Sequence, residues 1–201
     1  LLEKFRIDPK KNPISTPSGK IEIFSETVDS FNYEDCPGHP AWLEQEEWLG
    51  SNLTKQYPLQ LISGQPHNRL HSQLDNGSES QNYKILGREP IKIHPQDAQI
   101  RRLVDGDIVE VFNKRGKCLA GVIISNEVMK GIVFLPVGAW YDPINDGEFC
   151  IHGNPNVLTE DIGTSSLAQG PSAHSTLVEI KKYTKELPEI NIFHKPNIVN
   201  K

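Results

Sequence analysis

The sequence predicts a mainly β fold with short helices, closed or nearly closed into a barrel. Three observations carry that expectation. Short apolar or alternating runs recur between residues 57 and 183, each bounded by turn residues. Among them only 95–103 spaces its apolar residues, Ala98, Ile100 and Leu103, as a helix does. Glycine and proline, 15 of each in 201 residues, favour turns and irregular connections over a helical bundle. Hydrophobic residues at 36% against 23% charged supply a core and exclude a disordered chain. Many short strands with one helix between them imply a barrel.

Taken in order, residues 1–18 read as a linker that ends in the turn "PISTPSG". The chain opens on Leu1, which suggests a piece of something larger, and its start lacks the long apolar core of a signal peptide. "KIEIFSE" (20–26) alternates like a half-buried strand, and 26–34 reads as a short helix broken by "CPGHP". "AWLEQEEWLG" (41–50) reads as a surface turn of helix, its acidic face solvated and its tryptophans docked on the core. "YPLQLISG" (57–64) is a strand, and so is "PIKIH", after which Pro95 can begin a helix. "IVEVFN", the turn "KRGK", "CLAGVIIS" and "GIVFLPVG" then continue the strands. The last strand is "STLVEIKKY" (175–183). The tail, 184–201, has isolated hydrophobes without a period and is expected to wrap onto another domain.

Charge and cysteines narrow the chemistry. A net charge of −5 leaves no footprint for general binding to nucleic acid or anionic membranes. No apolar stretch approaches the ~20 residues of a membrane helix. Cys36, Cys118 and Cys150 are widely spaced, with no C-x-x-C pair, so they read as small thiols rather than a zinc site or disulfide framework. His67 and His71 stand four apart, yet Pro66 precedes them, no Glu follows His67 and no third ligand is evident; hydrogen bonding suits them better than metal. "PSGK" lacks the rest of a phosphate loop and reads as a turn. No catalytic triad or carboxylate pair is indicated by spacing.

Two segments stand out for polarity. "SGQPHNRLHSQLDNGS" (63–78) follows a strand directly, and "HGNPNVLTEDIGTSSLAQG" (152–170) is long, amide-rich and glycine-rich. Long connections of this kind are functional or disordered. Neutral amides, hydroxyls and backbone N–H groups can read heterocycles and diphosphates without net positive charge, so both a ligand surface and a solvated loop stay open on chemistry alone.

The order of these pieces resembles a known family. "TPSGKIEIFSE", "FNYEDCPGHPAWL", "YPLQLISGQPHNRLHSQL", "EPIKIHPQDAQIRRLVDGDIVEVFNKRG" and "GNPNVLTEDIGTSSLAQG" together resemble the C-terminal domain of the dimethyl sulfoxide reductase family. Within it they look most like the trimethylamine-N-oxide and biotin sulfoxide reductases. The likeness runs from about Thr16 to Tyr183. It implies a six-stranded double-psi β-barrel over residues 19–183, preceded by a linker, 1–18, from upstream domains. It also implies a bis(molybdopterin guanine dinucleotide) molybdenum cofactor, shared with those domains. The residues implied to contact it are Ser63, Gly64, Gln65, Arg69, His71, Ser72 and Gln73. Further candidates are His94, Asp97, Asn113 and Arg115, then Asn156, Gln169 and Gly170. The family's metal ligand belongs to an earlier domain, so no residue here is assigned a catalytic or metal role. The parent is expected to reduce trimethylamine N-oxide or biotin sulfoxide by oxygen-atom transfer, while this chain alone is inactive. Alternatives are a dimethyl or methionine sulfoxide acceptor, or a free-standing barrel used for binding or assembly. A cytochrome donor and a periplasmic role in anaerobic respiration follow from the resemblance, or a cytoplasmic place for the biotin sulfoxide type.

Overall fold

Each barrel strand sends alternate side chains inward, and those side chains form one core. The computed structural model describes residues 2–144, 147 and 149–195. Strands β1 (Leu59–Ile62), β2 (Pro90–Ile93), β3 (Ile108–Phe112), β4 (Lys117–Ile124), β5 (Ile132–Phe134) and β8 (Leu177–Lys182) surround that core, while β6 (Pro143–Ile144) and β7 (Phe149–Cys150) are short additions. Leu59 and Leu61, Ile91 and Ile93, Val109 and Val111, Ala120 and Val122, and Val178 and Ile180 are buried at period two, as pleated strands require. Each fully buried Leu or Ile contributes about 1.5–3 kcal/mol, so the alternation is what closes the sheet.

The pairing closes on itself in the order β2-β5-β1-β8-β3-β4, with β4 returning to β2. The pairs β1–β5 and β2–β4 are parallel; β2–β5, β1–β8, β3–β4 and β3–β8 are antiparallel. Exchanging β1 with β4, β2 with β5 and β3 with β8 carries every pair onto a pair of the same sense. Two interlocked three-stranded halves related in this way are a double-psi β-barrel. The fold class expected from the sequence is the one observed. β7 extends β4 in parallel at Lys117 and Cys118, and β6 pairs with β7.

The helices are short: α1 (Leu2–Ile7), α2 (Glu26–Asp29), α3 (Ser78–Tyr83) and α4 (Pro95–Ile100). α4 starts where expected, with Pro95 in its first turn and His94 as N-cap, its Nδ1 accepting from Gln96 N–H. α3, which begins at the last residue of the first polar segment, has no counterpart in the sequence reading. The chain divides into two compact units, Leu1–Glu44 with Ile162–Pro171, and Gln45–Asp161 with Ser172–Lys201. The barrel is the second.

Two local expectations fail for identifiable reasons. Residues 20–26 form no strand: Ile21 and Ile23 are 70% and 78% exposed, so the alternation has no face to bury. Ser25 instead caps α2 through Val28 N–H, and the helix stops at Asp29. Residues 41–50 are not helical, and Glu47 is buried rather than solvated. The described part of the tail lies against its own barrel, where Ile190 packs beside Ile108, Leu119 and Ile151.

Candidate functional site

Strand direction decides which loops meet. β1 and β5 run parallel and in register at Ile62 and Phe134, so the connections that follow them leave from one end of the barrel. The pairing continues past the strands, with Leu135 N–H donating to Ile62 O and Val137 N–H to Gly64 O, both at 3.0 Å. β4 begins and β8 begins at that same end, because each is antiparallel to a strand that finishes there. Residues 63–89, the 113–116 hairpin and 135–161 therefore share one end. Crevices beyond the carboxyl ends of parallel strands are where ligands settle in open sheets, and this barrel end offers the same geometry.

A buried ion network holds the first polar segment in place. Arg69, Asp75, Lys84 and Glu89 have almost no side-chain exposure. Lys84 Nζ lies 2.8 Å from both Asp75 and Glu89, and Arg69 lies 3.1 Å from Glu89 and 3.6 Å from Asp75. Two cations alternate with two carboxylates, which offsets the cost of taking each from water. Arg69 also donates to Val137 O, and Asp75 accepts from Trp140 N–H at 2.9 Å. Trp140 Nε1–H donates to Ser72 O at 2.7 Å. His152 is buried beside this network, its Nδ1 2.8 Å from Trp140 O. Burial and the neighbouring Lys84 push its pKa down, so the ring is neutral at pH 7.

On this frame the outer residues point polar groups away from the core. Gln65, His71, Ser72 and Gln73 are exposed. Gln65 Oε1 accepts from His71 N–H at 3.1 Å, and its amide also reaches the imidazole. His71 and Leu74 have φ of 49° and 58°, a left-handed conformation that non-glycine residues rarely adopt. Ser63 is buried with its Oγ unpartnered among the described residues, as is Asn68 Nδ2. Gly64 sits against the Phe134 ring, so a Cβ there would be 3.0 Å from it. A cavity of about 330 Å³ runs alongside, lined by Gln65, Pro66, Asn68, Tyr83, Phe134 and Pro136 among others.

The remaining residues named from the sequence fall into three groups. Asn113 and Arg115 lie at the site end but are engaged in structure. Asn113 Nδ2 donates to Leu158 O and Leu177 O, and Arg115 to Leu158 O and both oxygens of Glu47. Glu47 in turn accepts from Leu177 N–H at 2.8 Å. Burial pushes the Glu47 carboxyl up, yet hydrogen bonds from Arg115 and Leu177 hold it below the usual carboxylate range. Asn156 is exposed in the 3-10 turn Pro155–Val157, which Asn154 caps. His94 and Asp97 follow β2, which is antiparallel to β5, so they lie at the opposite end of the barrel. There His94 caps α4 and Asp97 accepts from Gly131 N–H at 2.7 Å. Gln169 and Gly170 belong to the other unit, where Gln169 Nε2 donates to Ser165 O and Gly170 O accepts from Thr164 N–H.

Reading the sequence missed Glu47, Asp75, Lys84, Glu89, Trp140 and His152. A pattern of isolated charges in polar loops gives no sign that they meet in the interior. Among the described residues no group of three or more metal-ligating side chains comes together, and no helix is long and apolar enough to cross a membrane.

Known proteins share this sequence and fold. A family model described as "Molydopterin dinucleotide binding domain" matches residues 59–177. The chain is 50% identical over 200 residues to a trimethylamine-N-oxide reductase of Haemophilus influenzae, covering 98% of this chain and 24% of that protein. It is 49% identical to trimethylamine-N-oxide reductase 1 of Escherichia coli, covering 94% and 23%. It is 43% identical to a dimethyl sulfoxide/trimethylamine N-oxide reductase of Cereibacter sphaeroides, covering 96% and 24%. The chain thus spans about a quarter of the length of these relatives. Among solved structures it resembles acetylene hydratase from Pelobacter acetylenicus, with a TM-score of 0.68 at 20% identity over 88% of this chain and 25% of that one, a likeness of fold.

Proposed function

We propose, from the premise that this chain belongs to the molydopterin dinucleotide binding domain family, that its polar barrel end is one wall of a bis(molybdopterin guanine dinucleotide) site. The observation that carries this is the parallel β1–β5 pair, which delivers both barrel-unit polar connections to one end. The residues there fit such a group. Ser63 Oγ and Asn68 Nδ2 are buried polar atoms without partners among the described residues, and Gln65, His71, Ser72, Gln73 and Asn156 offer neutral donors and acceptors suited to pterin edges and diphosphate oxygens. Gly64 allows the backbone a close approach.

The site residues divide by task. Ser63, Gly64, Gln65, His71, Ser72, Gln73 and Asn156 are the contacts of the barrel unit; for Gln169 and Gly170, which belong to the other unit, a cofactor contact is proposed from the family resemblance alone. Arg69, Asn113 and Arg115 hold the wall in shape, and His94 and Asp97 secure the far end of the barrel. When bound, the cofactor supplies the two-electron and oxygen-atom chemistry, while this chain binds and orients it.

The parent activity we assign is reduction of trimethylamine N-oxide, supported by the names of the relatives. An S-oxide acceptor is the second reading, favoured by the Cereibacter relative; biotin sulfoxide is a further S-oxide of that class. Upstream domains complete the site, and a cytochrome delivers electrons in the periplasm during anaerobic respiration. The biotin sulfoxide variant would work in the cytoplasm. The test is metal and nucleotide analysis of the full-length protein. Gln73→Ala and Asn156→Ala, both at exposed positions, should lower molybdenum and releasable guanine nucleotide several-fold without changing the thermal midpoint. Undiminished content in the double variant refutes the wall.

A further inference from the structure

β8 ends at Lys182, at the barrel end away from the polar wall, yet the chain then returns toward that wall. Arg88, buried, donates to Pro188 O, and Ile190 packs beside Ile108, Leu119 and Ile151. Asp142 is buried and accepts two backbone N–H groups from the returning segment, Asn191 at 2.7 Å and Ile192 at 3.1 Å. Phe193 then meets two rings. Its centroid lies 5.4 Å from Trp140, tilted by 49°, and 5.0 Å from His152, edge to face. Trp140 reaches the wall from its other side, through Nε1–H to Ser72 O and N–H to Asp75.

We infer that residues 184–193 are a positioning strap. They fix Trp140, and through Trp140 they fix the backbone of His71 and Ser72. The segment needs such support. His71 and Leu74 stand in left-handed backbone that costs about 1 kcal/mol or more each, so local preference does not hold 71–74 in shape. Asp142 sits two residues beyond Trp140 and ties the strap to the same stretch of chain. Its carboxylate at paired N–H groups sets the register, and Phe193 supplies the aromatic contact. The functional meaning of the strap rests on the proposal that His71, Ser72 and Gln73 face the cofactor.

The experiment is hydrogen exchange and molybdenum retention on the full-length holoenzyme. Phe193→Ala and Asp142→Asn are compared with Phe193→Tyr and with Leu103→Ala, a core change at the opposite end of the barrel. Losing the aromatic contact should speed exchange of the 63–76 amides roughly three- to tenfold and leave β3 and β4 amides unchanged. Phe193→Tyr should restore protection, and Leu103→Ala should not single out 63–76. Unchanged 63–76 exchange in both strap variants overturns the strap, as does equal acceleration by Leu103→Ala at a matched thermal midpoint. Molybdenum retained on dialysis reports separately. Faster 63–76 exchange with full retention leaves the strap standing and removes the cofactor wall; faster exchange with loss supports both.

Discussion

At the residue scale, the Glu47–Arg115 pair illustrates how a charge becomes structural. Glu47 binds the guanidinium through both oxygens and also receives Leu177 N–H, so one carboxylate joins the segment before β1, the β3–β4 hairpin and the start of β8. Its folded pKa lies below the unfolded value, so it stabilises the fold above about pH 4.3 and loses that contribution as pH falls through the lowered value. Glu47→Gln leaves Arg115 largely buried without its partner and should cost about 3 kcal/mol at pH 7. Denaturation curves at pH 7 and pH 3 check this, with the gap between wild type and variant narrowing in acid. The role of Glu47 was hidden in the sequence, where "EQEE" carries the pattern of a solvated face. Burial of one glutamate out of three depends on an arginine 68 residues away.

At the element scale, the connection 135–142 carries the wall. Gly138 has φ of 97°, and a Cβ there would overlap the His71 carbonyl oxygen. Gly138→Ala therefore meets both backbone strain of about 1–3 kcal/mol and a collision with the proposed cofactor-facing segment. Molybdenum content of the full-length variant should fall several-fold, with only a modest drop in thermal midpoint. Atomic absorption and a melting curve check it. The strands and α4 were legible because period-two burial and a proline at the first helical turn are local signals. The wall itself was legible as a polar segment after a strand. Its support was not, since Asp75, Lys84 and Glu89 become a network only when 63–89 folds on itself, with Trp140 and His152 brought against it.

At the scale of the whole molecule, burial sorts the cysteines. Cys118 and Cys150 are fully buried in register on β4 and β7, and burial pushes the Cys118 thiol well above its ordinary pKa. Cys36 is half-exposed. Iodoacetamide on the native chain should add one label, at Cys36, and denaturant should raise the count to three; mass spectrometry reads both. The barrel topology came from resemblance of ordered motifs rather than from periodicity, because alternation shows that strands exist but is silent on their neighbours. The exchange symmetry of the two halves has a kinetic consequence. Each half closes only against the other, and β8 is the shared neighbour of β1 and β3. A chain emerging from the ribosome can pair β3 with β4, but β1 and β3 lack a common partner until residue 182 has been made. Closure is thus deferred to the end of synthesis of this stretch. A cofactor loaded at the polar end would meet a finished wall or none.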